Sequence, residues 1–410
     1  MATLGETGAD LLNIRNLRAF VAVAHSGSVI KSSRLVRRAQ SAVTRSIKEL
    51  EADVGVQLFE RRSQGMLLTE FGRALLARVE RAFAEMETAR SAFRNAQLPA
   101  SLIEKAPIFS LLISRQRLLV FAELVEQHHM GAVADSLGIS QPAASQSLRE
   151  IEASVGVKLF MRGAGGMQPS PLGALLGMHI RRALAEIRAG EVEIQSLRGA
   201  IAGRVIVGSL SLGRTRLLPK AIIQLTRNYP NLTVATVEGT FEHLASRLRA
   251  GDIDFMLGAL RPPEHTIGLA RDVVTEDVLS VVAGSSHPLA RKRRLTFADL
   301  ASADWVLPPH GAPTRELLEN ALRSHGLGET RVVVETADLA ITRGILVGSN
   351  MLTAVSAHLF HEDIAAKALV VLPLTLPETS RPIGMLQRQA SSPSLAAQLL
   401  MANIRAIGQL

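Results

Sequence analysis

Residues 40–59 read QSAVTRSIKELEADVGVQLF, and residues 141–160 read QPAASQSLREIEASVGVKLF. The two stretches align without a gap at an offset of 101, with 11 of 20 positions identical. The same offset pairs Leu17 with Leu118, Phe20 with Phe121, Arg61 with Arg162, Gly65 with Gly166, Met66 with Met167 and Gly72 with Gly173. An ungapped match of this extent is an internal duplication, and a repeat fixes the architecture before any single element is considered.

Each copy reads as a small helical unit. Leu17, Phe20, Val21 and Ala24 recur at helical spacing and give one apolar face. Gly27 and Ser28 break that helix, Val29 to Val36 form a short second one, Arg37 to Ala39 turn, and Ser41 to Val54 form a third. Val43, Ile47 and Leu50 face inward, while Gln40, Ser41, Thr44, Arg45 and Lys48 face outward. A short helix, a tight turn and a helix with a polar outer face make a helix-turn-helix. Amides and Arg on that face suit base edges, and hydroxyls and Lys suit phosphates. Val56 to Phe59 and Met66 to Leu68 are expected as the strands of a wing, with Arg61 and Arg62 between them.

A long helix follows each copy. Val79, Ala82, Met86, Ala89 and Phe93 form an apolar seam in the first, and Leu176, Ile180, Ala183, Ile187, Gly190, Ile194 and Leu197 form one in the second. Steps of three and four mark helices that pair. The spacing leaves two partners open: the other copy in the same chain, or the equivalent helix in another chain. Met86 and Phe93 have the bulk to fill the space beside Gly190, which favours pairing within the chain. A dimer of chains is then the smallest DNA-competent species expected.

These motifs carry a family resemblance. LRAFVAVAHSGS at 17–28, QSAVTRSIKELEADVGVQLFERR at 40–62 and LTEFG at 68–72 resemble the winged helix-turn-helix of LysR-type transcriptional regulators. ADSLGISQPAASQSLREIEASVGVKLFMR at 134–162 is similar to the same pattern. The family usually has one such module, so the duplication is a departure. The copies have also diverged. The first has Ser32, Ser33 and Arg38 where the family favours alanines and an apolar residue, while the second has Ala134, Leu137, Ile139 and Pro142 at or near the expected places. The first has six basic residues from Lys31 to Lys48 and no acid; the second has Arg149 against Asp135. DNA contacts implied by the resemblance are Lys31, Arg34, Arg37, Arg38, Gln40, Ser41, Thr44, Arg45, Lys48, Arg61 and Arg62, and Gln141, Pro142, Ser145, Gln146, Arg149 and Arg162.

Beyond Gly203, strand-like and helix-like segments alternate, and this order predicts parallel sheets with helices on both faces. Strands are expected at Val205–Val207, Thr233–Glu238, Phe255–Leu257, Val278–Ala283, Trp305–Leu307, Val332–Glu335, Met351–Val355, Leu369–Leu372 and Ile383–Gln387, with helices near Leu217–Asn228 and Glu242–Ala250. GRVIVGS at 203–209, YPNLTVATVEG at 229–239, LRAGDIDFMLG at 248–258, SHPLA at 286–290 and LVGSNMLTAVSA at 346–357 resemble the LysR effector domain, a two-lobed α/β fold similar to periplasmic binding proteins. The resemblance implies an effector cleft contacted by Ser209, Ser211, Gly239, Thr240, Thr314, Arg315 and Thr336. Free N–H groups at helix starts there attract a carboxylate or phosphate, so an anionic effector fits. The expected organisation is a module at 14–72, linker helix 73–96, connector 97–116, second module 117–173, linker helix 174–199 and effector domain 204–410. Its first lobe takes 204–280 and 380–410, and its second 281–379.

Composition narrows the alternatives. The chain has 410 residues, a net charge of +9 and no cysteine. Disulfides and thiolate metal sites are therefore excluded, as suits a reducing cytoplasm. Residues 1–100 hold 15 Lys and Arg against 10 Asp and Glu, so the basic excess sits at the amino-terminal end, where it suits a polyanion. At 3% aromatic residues, a base-stacking single-strand binder is disfavoured. Met1 to Asp10 lacks the features of a secretion signal, and no apolar run is long enough for a bilayer. GSLSLGRT at 208–215 approaches a phosphate-binding loop but has Arg where that motif needs Lys. His128–His129 and His358 with His361 lack companion ligands, so neither a metal nor another cofactor is expected. No catalytic constellation stands out, so an enzyme is not expected. A solute-binding protein leaves the duplicated basic module unexplained, and an architectural DNA binder leaves the two-lobed domain unexplained.

Overall fold

The computed structural model describes residues 12–62, 65–96, 98–163, 165–199, 202–328, 330–389 and 391–409. The acidic stretch Met1 to Asp10, and residues 200 and 201 of the expected break after the second long helix, lie outside them.

The first unit runs α1 (Ile14–Ser26), α2 (Val29–Leu35), α3 (Gln40–Val54), β1 (Phe59–Arg62), β2 (Gly65–Leu68) and the long α4 (Glu70–Asn95). A connector carries α5 (Ala100–Lys105). The second unit repeats the order as α6 (Arg115–Gln127), α7 (Met130–Ser136), α8 (Gln141–Val155), β3 (Phe160–Gly163), β4 (Gly166–Pro169) and the long α9 (Pro171–Leu197).

Repeated residues do repeated work. Glu51 accepts from the amides of Leu58 and Phe59 at 2.9 and 3.2 Å, and Glu152 accepts from Leu159 and Phe160 at 2.8 and 3.3 Å. A Cβ at Gly72 or Gly173 would lie 2.1 Å from the carbonyl oxygen of Leu58 or Leu159, so neither position admits a side chain. Left-handed turn positions have diverged instead. The first helix ends on Gly27 at φ 62° but its counterpart ends on His128 at φ 55°, and the turn before the third helix uses Arg37 at φ 53° but Gly138 at φ 64°.

One expectation about the wing is corrected. Its first strand starts at Phe59 rather than Val56, because Leu58 is held by Glu51 and by the amide of Thr69 (3.0 Å). Arg61 and Arg62 therefore lie on β1, paired with Met66 and Gly65, not between the strands.

The long helices α4 and α9 pack against each other, antiparallel, within the chain. Arg78 near the start of α4 reaches Glu186 and Glu193 on α9, and Glu85 further along α4 meets His179 and Arg182 nearer the start of α9. Val79, Ala82, Met86, Ala89 and Phe93 are buried, as are Leu176, Ile180, Ala183, Ile187, Gly190 and Ile194. Leu197 is 42% exposed and drops out of the expected seam. The residues beside Gly190 are Leu75 and Arg78, whose atoms lie 3.1 and 3.2 Å from where a Cβ would sit. Antiparallel pairing thus puts Met86 and Phe93 elsewhere, and Phe93 packs on Phe109 with ring centroids 5.2 Å apart.

The carboxy-terminal half contains β5 (Gly203–Ser209), α10 (Ser211–Arg214), α11 (Leu217–Asn228), β6 (Leu232–Glu238), α12 (Phe241–Ala250), β7 (Phe255–Ala259), β8 (Leu269–Asp277), β9 (Leu279–Gly284), β10 (Asp304–Leu307), α13 (Pro313–Ser324), β11 (Arg331–Glu335), α14 (Leu339–Gly348), β12 (Thr353–Ser356), α15 (His361–Ala365), β13 (Leu369–Thr375), β14 (Arg381–Arg388) and α16 (Leu395–Gly408). One sheet has the order β6-β5-β7-β14-β8; β12-β9-β13 and β10-β11 build the other lobe. The expected parallel sheets are corrected to mixed ones. β5 is parallel to β6 and β7, and β10 to β11, but β14 is antiparallel to β7 and β8, and β9 to β12 and β13. The chain crosses between lobes after β8 and returns before β14, and a returning strand enters its sheet reversed. β8 was not anticipated, because its residues alternate without an apolar period and only its ends, Leu269 and Asp277, are buried.

Candidate nucleic-acid interface and effector cleft

On α3, burying Val43, Ile47 and Leu50 turns Gln40, Ser41, Thr44, Arg45 and Lys48 to the opposite side, where with Glu49 they line a shallow concavity. The Arg45 side chain is 81% exposed and donates to Glu49 at 2.8 Å. Hydrogen bonds from Arg45 and Asn16 hold the Glu49 carboxyl below its ordinary value. Lys31, Arg34 and Arg37 stand exposed on α2 and the turn beside this strip. Arg38 leans back toward the protein, its guanidinium 3.3 Å from the hydroxyl of buried Ser46. Arg61 and Arg62 are exposed on the wing, with Arg62 donating to Glu60 at 2.8 Å.

The corresponding strip on α8 is uncharged apart from Arg149. Gln141, Pro142 and Gln146 are exposed, and Ser145 is half-buried. Arg149 donates to Gln146 Oε1 at 2.8 Å, and Gln146 Nε2 donates to Glu150 at 3.0 Å, so this amide is held in one orientation. Ser140 caps α8 by accepting from Ala143 at 3.4 Å, whereas Ala39 offers α3 no such cap. Arg162 is exposed on β3. Charge is lost across the short helix and turn: Lys31, Arg34, Arg37 and Arg38 become Ala132, Asp135, Gly138 and Ile139.

The expected effector residues fall into two groups. Ser209 pairs with Glu238 in the parallel β5–β6 ladder, which brings Gly239 and Thr240 to the same sheet edge as Ser211. Ser209 is buried, while Thr240 caps α12 by accepting from His243 at 3.2 Å. Ser211 is exposed. The second group, Thr314, Arg315 and Thr336, gathers at the start of α13 and the ends of β10 and β11, where the Thr336 amide donates to Leu307 at 2.9 Å. The charge of Arg315 is already taken up by Glu319 (2.7 Å) and Glu335, which raise its pKa. Sequence reasoning missed Arg381, which lies where the chain re-enters the first lobe. It donates to Asp277 at 3.2 Å and to the Thr314 hydroxyl at 2.9 Å. Burial lowers the pKa of this guanidinium, and the Asp277 carboxylate opposes that shift.

Also missed was the charged layer between the long helices, although the repeat offset signals it. Arg78 and Glu85 sit 101 positions before His179 and Glu186. The structure pairs Arg78 with Glu186 and His179 with Glu85, at 3.3 and 2.7 Å. One contact is thus the image of the other, as a pseudo-twofold requires. The first image meets the effector half directly: Arg388 donates to Glu186 at 3.1 Å, and Arg78 donates to the carbonyl of Ser392 at 2.5 Å.

The family model described as LysR substrate binding domain matches residues 198–408, and that of the bacterial regulatory helix-turn-helix protein, lysR family, matches residues 14–73 and 116–174. The chain belongs to the LysR family of transcriptional regulators: a DNA-binding regulator with an effector-binding domain, and not an enzyme. It is 43% identical to the HTH-type transcriptional regulator GalR of Pseudomonas putida over 398 residues, covering 97% of this chain and 98% of that one. It is 31% identical to GbpR of Azospirillum brasilense over 294 residues, 71% of this chain and 85% of that one. Among solved structures, the LysR family regulator CbnR is similar in fold, with a TM-score of 0.52 at 20% identity over 72% of this chain and 99% of that one. No helix among the described residues is long and apolar enough to cross a membrane.

Proposed function

We propose that one chain is a built-in pseudo-dimer: two winged helix-turn-helix modules, 14–72 and 117–173, held for double-stranded DNA by paired linker helices, with one effector domain at 204–410. The observation that carries this reading is the pair of equivalent contacts, Arg78 with Glu186 and His179 with Glu85, across antiparallel α4 and α9. Such a pairing leaves neither apolar seam in water and needs no second chain. Coverage of the relatives supports it. The match to GalR spans both modules, while the match to GbpR leaves out more than a quarter of this chain.

The exposed residues named above on α2, α3, α8 and the wings contact DNA, the basic ones at phosphates and the amides and Arg45 at bases. A small molecule with an anionic group binds between the lobes, near Ser209, Ser211, Gly239, Thr240, Thr314, Arg315 and Thr336. Arg381, itself paired with Asp277, holds the Thr314 hydroxyl in place for the bound molecule. Two chains associate through their effector domains and offer four modules, and the protein works where its DNA is, in the cytoplasm.

Native mass spectrometry on short duplexes tests the core of this reading. A ratio of one chain per two-half-site duplex is expected, so that a dimer of chains takes up two such duplexes, with metabolite carboxylates altering affinity in a parallel gel shift. A strict requirement for two chains per duplex would overturn the pseudo-dimer.

A further inference from the structure

Exact twofold dimers present identical recognition helices, and their operators mirror that symmetry. Here the symmetry is only approximate, and it fails most on the surface that faces DNA. Gln40 and Gln141 match, but Ser41 becomes Pro142, Arg45 becomes Gln146 and Lys48 becomes Arg149. The interior behaves in the opposite way: Val43, Ile47 and Leu50 are answered by Ala144, Leu148 and Ile151, all buried. The duplicated fold has been kept while its outward chemistry has diverged.

On this basis we infer that a single chain reads a non-palindromic DNA site with two unlike halves in fixed order, and so binds with a defined polarity. The inference rests on the reading of both modules as DNA-contacting. Arg45 has the fork geometry for guanine O6 and N7, whereas Gln146 has the donor and acceptor that match adenine N6 and N7. The Gln146 amide is held for this by Arg149 and Glu150. The half under α3 is also the one gripped by phosphate contacts, since Lys31, Arg34 and Arg37 have no basic counterpart in the second module.

The spacing suits two adjacent half-sites. The modules sit at opposite ends of an antiparallel pair whose first helix has 26 residues. At the α-helical rise that is roughly 39 Å, close to one turn of duplex. The polarity reaches the effector domain as well. α9 precedes β5 in the chain, and Arg181 and Arg182 on α9 contact Asp252 and the carbonyl of Arg249 at 3.1 and 2.6 Å. The effector half also meets α4, where Arg78 donates to the carbonyl of Ser392 at 2.5 Å, so one effector domain bears on both linker helices through unlike contacts.

Selection of the full chain on random duplexes of about two turns, long enough for two half-sites only, tests this. The expected motif has a guanine-containing half and an adenine-containing half. The quadruple variant S41P/T44S/R45Q/K48R, which gives α3 the outer face of α8, should return two like halves in inverted orientation. Because the natural chain has no cysteine, E60C or M161C places an iron chelate on one wing alone. Cleavage should fall on one flank for E60C and on the other for M161C, at least tenfold above the opposite flank. Like halves selected by the natural chain, or equal cleavage on both flanks, would overturn the inference. No enriched sequence at all would overturn the DNA-reading assignment beneath it, and this inference with it.

Discussion

Replacing Glu186 by Gln should loosen the linker pair more than any other single change of one charge there. Glu186 is buried between the helices, and its carboxylate receives Arg78 at 3.3 Å, Arg81 at 2.9 Å and Arg388 at 3.1 Å. Taking away one partner of a buried pair costs about 3–5 kcal/mol, chiefly because the remaining charge is stranded. Gln keeps one acceptor oxygen and the side-chain volume, so a loss of about 3 kcal/mol is expected, the lower end of that range. In native-state hydrogen exchange this corresponds to amides in α4 and α9 exchanging roughly a hundredfold faster, at 1.4 kcal/mol per tenfold. The only tryptophan, Trp305, is buried in the other lobe and supplies an internal control, since its fluorescence transition in urea should be unchanged. Glu85→Gln, at the equivalent position but 24% exposed and paired with one arginine, Arg182, and His179 in place of three arginines, should accelerate exchange less. Acceleration below about tenfold for Glu186→Gln, or equal effects at the two positions, would refute the assignment of Glu186 as the charged centre of the pair.

Four further outcomes follow from the site. Neutralising Arg37, Arg38 and Arg45 together should weaken binding to all sequences and flatten the plot of log affinity against log salt by about one unit per lost phosphate contact, with Arg38 contributing least because it leans on Ser46; an unchanged slope would show that the first module does not touch DNA. Gln141→Ala should relax preference at one base position by roughly 1–3 kcal/mol, and an unchanged selected motif would make α8 a spacer. Ser211→Ala, which removes an exposed hydroxyl, should reduce the response to effector with melting temperature intact, whereas Thr240→Val should also cost about 1 kcal/mol because that hydroxyl caps α12; a normal response in Ser211→Ala would remove this residue from the cleft. Burial raises the pKa of Glu85, but the His179 hydrogen bond and the Arg182 charge outweigh it, so the folded value lies below the ordinary 4.5. The stabilisation is present above 4.5 and is lost as pH falls through the lowered value, and Glu85→Gln should show a shallower decline there in an acid titration followed by helical circular dichroism.

Much of this was legible in the chain because duplication supplies its own alignment. Two divergent copies agree at Gly72 and Gly173, where a carbonyl blocks any side chain, and at Glu51 and Glu152, which bind the amides entering each wing. The outer face of α3 followed from helical period, and that of α8 from its alignment with α3. The reversal of β14 was not legible, since strand direction depends on where the chain crosses between lobes and not on local pattern. β8 escaped because only its two end residues are buried and it carries Arg271, Asp272, Glu276 and Asp277 among its nine residues. The residues beside Gly190 could not be foreseen, because the seam spacing is the same for parallel and antiparallel pairing. Arg381 could not be found by motif, since its place at the crossing exists only once both lobes are assembled.

The covalent join between α4 and the second module has a consequence for how the regulator behaves at low copy number. An ordinary pair of linker helices forms by encounter, and its population falls as the protein is diluted. Here the two helices are tethered, so each meets the other at an effective concentration on the order of millimolar whatever the cellular abundance. A cell holding a handful of molecules would keep every one paired. The same tether outcompetes linker helices of other chains present well below that concentration, so mixed pairs at this seam are disfavoured.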